Sequence, residues 1–170
     1  MSFLDTTHSI NLACPINQLG YGVSGLNISK ALIELKHDVA LFPIGPIEAP
    51  EEYTQMLKMS IGAARTPNWQ APSIKMWHQH DMSQFVGNGT KYGFPIFELD
   101  RFTDLELHHL HYLDNWMVAS EWAKGIIVES LSNIRGEDYV KEHTHVVPLG
   151  VDRSIFREAV SHRKETIFFN

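Results

Sequence analysis

The strongest constraint on the fold is the alternation of short apolar segments with helical patterns along the chain. Most intervals between the apolar segments carry apolar residues at the spacing of a helix that buries one face. Strands that alternate with helices predict a parallel sheet with right-handed crossovers. We therefore expect an α/β domain of the doubly wound type, with a mainly parallel sheet and helices on both faces. The predicted strands are residues 9–15, 39–43, 74–77, 95–98, 116–119 and 146–148.

Composition narrows the class of protein. The chain has 170 residues, of which 44% are hydrophobic and 20% are charged, which is typical of a globular domain with one core. A net charge of −6 without a basic run disfavours nucleic acid as a partner. Residues 1–9 lack the apolar stretch of a signal peptide, and no segment approaches the length of a membrane span, so a cytoplasmic location is expected.

Two groups of reactive side chains are expected to be structural. Cys14 is the single cysteine, and its apolar surroundings predict a buried, inert thiol. His108, His109 and His111 fall within a helical pattern, where a surface or core-edge role is favoured over a metal site.

The segment 20–25 (GYGVSG) matches the pattern G-x-G-x-x-G between the first strand and the first helix. Glycine permits positive φ and close approach of backbone to a phosphate, and a helix N-terminus offers free N–H groups and partial positive charge. The pattern predicts anion binding at Gly20, Tyr21 and Gly22. The alternative is that the glycines serve only a tight turn and close packing.

A dinucleotide-binding enzyme would also carry an Asp or Glu at the end of the second strand, where it holds the ribose. That strand ends in residues 41–44 (LFPI), which include no acid. The missing acid counts against a small nucleotide-dependent oxidoreductase, which stays open as an alternative.

The third strand ends in residues 77–81 (WHQHD), where two histidines alternate along an extended segment and so face the same side. Zinc needs at least a third ligand, and the spacing fixes none. We expect no metal here, and instead a polar site in which His78, His80 and Asp81 contact a sugar hydroxyl or a phosphate. Because the carboxyl ends of parallel strands share one edge, His80 should lie near Gly20 to Gly22.

Charged residues follow the fourth and fifth strands. Glu98 and Arg101 are candidate binding residues, with simple solvation as the alternative. Ser120 is placed to cap the next helix, and Glu121 falls in the first turn, where the helix dipole favours a negative charge.

Taken together, these segments resemble the retaining GT-B glycosyltransferases of family four. The opening of the family is similar to Gly20-Tyr21-Gly22 followed by a helix that ends in residues 31–39. Four later segments are also similar to the family and follow in its order along the whole chain. They are residues 77–81, 95–100, 113–124, and 146–152 with Phe156. The last two are the most specific.

The resemblance implies a Rossmann-like, acceptor-side half of a GT-B enzyme over residues 1–152. It implies that Gly20, Tyr21 and Gly22 approach the diphosphate of a nucleotide-sugar donor, and that His80 and Asp81 act beside the transferred sugar. His78, Glu98, Arg101, Ser120 and Glu121 would contact the acceptor or the sugar. No cofactor is implied beyond the nucleotide sugar, which is a co-substrate.

Residues 153–170 resemble the interdomain link and the first strand of the donor-binding half. The sequence ends there, before the Glu-x7-Glu segment and the basic ligands with which the family holds the nucleotide. We therefore expect no turnover until another chain or segment supplies a donor-binding half. The alternative is a non-catalytic binding or assembly module. Without a donor-binding half, we expect residues 165–169 (ETIFF) either to be disordered or to pack against another copy, giving a homo-oligomer.

Overall fold

The structure is a computed structural model that describes residues 8–151, so the predicted link and final strand at 153–170 lie outside the described residues. Its six strands are β1 Ser9–Cys14, β2 Asp38–Pro43, β3 Ser73–His78, β4 Lys91–Ile96, β5 Asn115–Val118 and β6 Thr144–Val146. The helices are α1 Gly20–Glu34, α2 Thr54–Ala63, α3 Asp104–Leu110, α4 Glu121–Arg135 and α5 Glu137–His143. Short 3₁₀ turns occupy Glu51–Tyr53 and Gln79–Asp81.

The strands form one parallel sheet in the order β2-β1-β3-β4-β5-β6, flanked by helices, which confirms the predicted doubly wound α/β class. The chain steps from β1 to β2 in one direction and then returns past β1 to β3. Right-handed crossovers therefore place α1 and α2 on opposite faces. The reversal makes the carboxyl ends of β1 and β3 the topological switch point, where the loops diverge and leave a crevice.

Two apolar clusters form the core. One joins α1 and α2 to β1, β2 and the middle of the sheet around Leu12, Leu41 and Met76. The other lies around Trp116, whose Nε1 donates to the Leu110 carbonyl at 3.0 Å, and it includes α4 and α5. Cys14 is buried in the first cluster, as predicted.

Two predicted strand positions were wrong. The fourth strand was placed at 95–98, but it starts at Lys91 and pairs with β3 over its full length. It ends before Phe97, which turns to pack edge-on against Phe102 with ring centroids 4.9 Å apart. The sixth strand was placed at 146–148, but it covers Thr144–Val146, and the last bond to β5 runs from the Val147 amide to the Val118 carbonyl at 2.8 Å.

None of the helices within residues 8–151 has the length and apolar character that crossing a membrane requires.

Candidate functional site

The loops after β1 and β3 line a cavity of about 250 Å³ at the switch point. Its walls are Pro15, Asn17, Leu19, Gly20, Tyr21, Trp77 and His78. Larger grooves run between α4 and α5 and along α1, with volumes of about 640 and 570 Å³. Those grooves are lined mostly by residues on the outer faces of helices, whereas parallel α/β sheets bind ligands beyond the carboxyl ends of their strands. We therefore take the smaller cavity as the candidate site.

The N-terminus of α1 opens onto this cavity with its amides available. Leu19 precedes the helix and offers no capping side chain, and the first intrahelical bond runs from the Val23 amide to the Leu19 carbonyl at 2.9 Å. The amides of residues 20–22 therefore have no carbonyl acceptor within the helix. The first turn also holds no acidic residue, so nothing there offsets the positive end of the helix dipole. This arrangement favours an anion.

The three glycines of the G-x-G-x-x-G segment have different roles. A Cβ on Gly22 would lie 2.2 Å from Asn17 Oδ1, and a Cβ on Gly25 would lie 2.2 Å from the Pro15 carbonyl oxygen, so both positions need glycine for packing. A Cβ on Gly20 would meet nothing within 4 Å. None of the three adopts the positive φ that glycine permits, since the positive-φ glycines of the described chain are Gly45, Gly87 and Gly136. Close packing thus explains why Gly22 and Gly25 are glycines, but it does not explain Gly20.

The structure brings the glycine segment and the histidine segment together. The Tyr21 ring meets the His78 ring edge-on at 5.0 Å, and His78 also meets Trp77 at 4.8 Å. The His80 ring stacks on His78 with centroids 5.2 Å apart and planes 11° from parallel. Two imidazoles and a phenol therefore stand beside the free amides of α1.

The two imidazoles differ in environment. Burial, together with the nearby His80, lowers the pKa of His78 below its usual value of 6.5. His78 is therefore neutral near neutral pH, with one ring nitrogen able to donate and the other to accept a hydrogen bond. His80 is exposed and reaches the site only through its stacking on His78.

Asp81 lies beyond the histidines and has a partner within the fold. Lys75 Nζ on β3 donates to Asp81 Oδ1 at 3.3 Å, and the lysine side chain is only 5% exposed while the aspartate is 44% exposed. The catalytic role that the resemblance implies for Asp81 stays a prediction.

A second contact fixes the start of the same turn. Gln79 Nε2 donates to Glu106 Oε1 on α3 at 2.8 Å, and both residues are buried. Glu106 Oε2 accepts from the Thr103 amide at 2.7 Å and from the Thr103 hydroxyl at 2.9 Å, completing the capping box of α3. Burial acts to raise the pKa of Glu106, but these hydrogen bonds and nearby His80 outweigh it and hold the pKa below its usual value.

The remaining predicted residues lie farther along the same edge. Glu98 and Arg101 are exposed in the loop after β4, as simple solvation would require. Ser120 caps α4, its hydroxyl accepting from the Ala123 amide at 3.2 Å, as predicted, and Glu121 is exposed in the first turn. Their contact with an acceptor or sugar stays a prediction.

The histidines of α3 form a separate group, with His108 and His111 ring centroids 5.4 Å apart. Over the residues that the structure describes, no three His, Cys, Asp or Glu side chains are arranged to hold a metal ion.

Sequence reasoning missed the residues that support the site. Lys75 sits within an apolar strand, where a charge is unusual, and that anomaly was a usable signal. The pattern Thr103-x-x-Glu106 is a capping-box signature that predicts the start of α3. Neither signal shows that the two residues meet the same turn, because that contact depends on tertiary packing.

Comparisons of the chain with protein-family models, with curated proteins and with solved structures found no match. A proposal for the function therefore depends on the sequence resemblance, the fold and the geometry of the switch-point cavity.

Proposed function

We propose that this domain is the acceptor-side half of a retaining GT-B glycosyltransferase and that its switch-point cavity receives part of a nucleotide sugar. The observation that carries the proposal is that one cavity is lined by the start of α1 and by the rings of Tyr21 and His78. The amides of residues 20–22 have no acceptor within the helix, and His80 stacks on His78. The resemblance of the sequence segments to family four gives the reaction class.

The chemistry of sugar transfer matches what these groups offer. When the sugar leaves its nucleotide, negative charge grows on the departing diphosphate, and preorganised donors at that position lower the barrier. The amides of residues 20–22 and the helix dipole are such donors. A neutral His78 can donate or accept a hydrogen bond without adding a charge, while exposed His80 stands where it can orient a sugar hydroxyl.

The distribution of exposed apolar side chains supports a second domain facing this edge. Isolated exposed apolar residues are ordinary, but a concentration of them on one edge indicates an interaction surface. Such residues lie in the loops and first helical turns that follow the strands. They are Leu19, Val23, Ile47, Leu99, Trp122, Val147, Leu149 and Val151. The other six exposed large apolar residues of the described chain are Leu35, Met59, Trp69, Leu105, Tyr112 and Ile134.

The oxidoreductase alternative is weaker on two observations. The end of β2 presents Phe42 and Pro43 followed by Ile44, so no carboxylate is placed there for a ribose. The sheet order also has β3 directly beside β1, whereas the dinucleotide-binding order places the third strand beyond the second.

Ligand-observed NMR with the purified chain tests the proposal. Saturation transfer should reach UDP-glucose or GDP-mannose, pyrophosphate should compete with it, and NAD should give no transfer. A transfer assay with the chain alone and with an added donor-binding half then separates the remaining alternatives. Binding with turnover only in the presence of the added half supports the proposal. Binding that never leads to turnover identifies a binding module, and tight NAD binding would overturn the glycosyltransferase assignment.

A further inference from the structure

We propose that Lys75, acting through Asp81, is a positioning residue that holds the 3₁₀ turn Gln79–Asp81 and thereby the ring of His80. What that ring is used for depends on the proposed function, but the positioning itself is a property of the free protein. Lys75 lies too deep to be a contact surface of its own, since its side chain is only 5% exposed.

The sheet register makes room for a buried lysine at this position. Lys75 pairs with Ala13 on β1 and with Gly93 on β4, and directly paired residues of parallel strands face the same side. Both neighbours are small, so neither places a large side chain of its own beside the lysine. Gly93 cannot be enlarged freely, because a Cβ there would lie 2.3 Å from Leu113 Cδ1.

A buried ammonium group needs a partner, because loss of its hydration is costly unless a counter-charge and hydrogen bonds replace the water. Asp81 Oδ1, at 3.3 Å, is that partner. The distance exceeds that of an ideal charge-assisted hydrogen bond, so the contact acts mainly as charge compensation. Asp81 is therefore drawn towards β3, and with it the end of the turn.

The turn is thus held at both ends and open in the middle. Gln79 is fixed to α3 through Glu106, and Asp81 is fixed to β3 through Lys75. His80 is the most exposed of the three, and its backbone position follows from the two tethers. The stacking of His80 on His78 at 5.2 Å depends on that backbone position.

A neighbouring contact gives an internal reference. The Tyr21 and His78 rings meet at 5.0 Å, and this contact joins the start of α1 to the end of β3 without involving the turn. Loss of the Lys75 tether should therefore separate His80 from His78 and leave Tyr21 against His78. General destabilisation would instead affect both contacts.

The test uses nuclear Overhauser effects between ring protons in the free, full chain. In Lys75→Met we expect the His78–His80 effects to disappear and the Tyr21–His78 effects to remain. Lys91→Met is the matched control, because Lys91 is at the amino-terminal end of the neighbouring strand β4, away from the turn. This variant should preserve both the His78–His80 and the Tyr21–His78 effects. Lys75→Arg keeps the charge and should restore part of the His78–His80 signal.

A folded Lys75→Met protein that keeps both sets of effects would overturn the proposal. If that variant fails to fold, Asp81→Asn gives the answer, because its side chain is 44% exposed and the substitution preserves its shape. Loss of the His78–His80 effects alone in Asp81→Asn supports the proposal, and their retention overturns it. All of these measurements are made without ligand, so they test the positioning role alone. If the proposed function is wrong, the unaltered chain will not bind a nucleotide sugar, whatever the result for Lys75.

Discussion

Gly22 lies so close to Asn17 that a Cβ on the glycine would stand 2.3 Å from the Asn17 backbone nitrogen and 2.5 Å from its carbonyl oxygen. Asn17 in turn accepts from the Leu19 amide through Oδ1 at 2.9 Å. The loop after β1 and the first turn of α1 are therefore packed as one unit. This packing fixes the direction in which the free amides of α1 point.

The first prediction concerns two glycines that lie two residues apart. Gly22→Ala should lower the free energy of unfolding by about 1–3 kcal/mol, because the backbone of Asn17 cannot yield to the added methyl group as a flexible side chain would. Gly20→Ala is the matched control, since nothing lies within 4 Å of its Cβ position. It should leave stability unchanged or raise it by up to about 1 kcal/mol, as alanine favours helix. Urea denaturation of both variants measures the difference, and equal effects would contradict the packing role of Gly22.

The second prediction concerns the titration of His78. Its pKa should fall below 6.5, chiefly because the ring is buried and secondarily because His80 is close. A histidine whose pKa is depressed by folding binds fewer protons in the native than in the unfolded state. Stability is therefore unaffected above the unfolded pKa and falls as pH drops through it.

Ring-proton NMR shifts followed with pH measure this pKa directly. His80→Gln should raise the His78 pKa only part of the way towards its usual value, because burial is the larger cause. A complete return to the usual value would show that His80, and not burial, sets the shift.

The third prediction concerns Glu106, whose carboxylate accepts from Gln79 and Thr103. Glu106→Gln places an amide where an acceptor is needed, and it should destabilise the protein by about 1–3 kcal/mol near neutral pH. The pKa of Glu106 is depressed in the fold, so its contribution is present above the usual value of 4.5 and is lost as pH falls through the lower, folded value. The difference between variant and parent should shrink in that acidic range, and a pH-independent difference would argue against an ionised Glu106.

The fourth prediction concerns the thiol of Cys14. Burial raises its pKa to about 12, an effect only partly offset by a hydrogen bond with Ser29, so the reactive thiolate is scarce in the native state. A thiol reagent such as Ellman's should react negligibly with the folded chain at mildly alkaline pH and stoichiometrically in denaturant. Rapid reaction of the native protein would show that the first core cluster opens easily.

The sheet could be predicted from the sequence because short apolar runs, which are typical of strands, alternate along this chain with segments of helical periodicity. It placed β1, β2, β3 and β5 correctly, since each is a short apolar run bounded by turn residues. It misplaced β4 because residues 91–93 are mixed in character and pair with β3 through backbone hydrogen bonds that any sequence can make. The start of β6 was missed because Thr144 is polar and does not look like a strand residue. In the fold Thr144 is buried, and its hydroxyl donates to the Val140 carbonyl at 2.6 Å.

The site was accessible from sequence only in part. Parallel strands bring their carboxyl ends to one edge, so the order of strands and loops along the chain was enough to place the glycine and histidine segments at the same edge. The pairing of Lys75 with Asp81 and of Gln79 with Glu106 depends on side-chain reach across separate elements. Local sequence patterns carry no information on such distances.

The central claim is that the free amides of α1 bind the diphosphate of a nucleotide sugar while the His78–His80 pair lies beside its sugar. The most direct measurement is a residue-resolved titration of the isotopically labelled chain with UDP-glucose, followed through amide and imidazole correlation spectra, with pyrophosphate as a second probe. We predict saturable shifts concentrated at the amides of residues 20–22 with both probes, and at the rings of His78 and His80 with UDP-glucose. Saturable binding with shifts centred elsewhere, for example on the α4–α5 groove, or no shift at residues 20–22 at any soluble concentration of either probe, would contradict the claim.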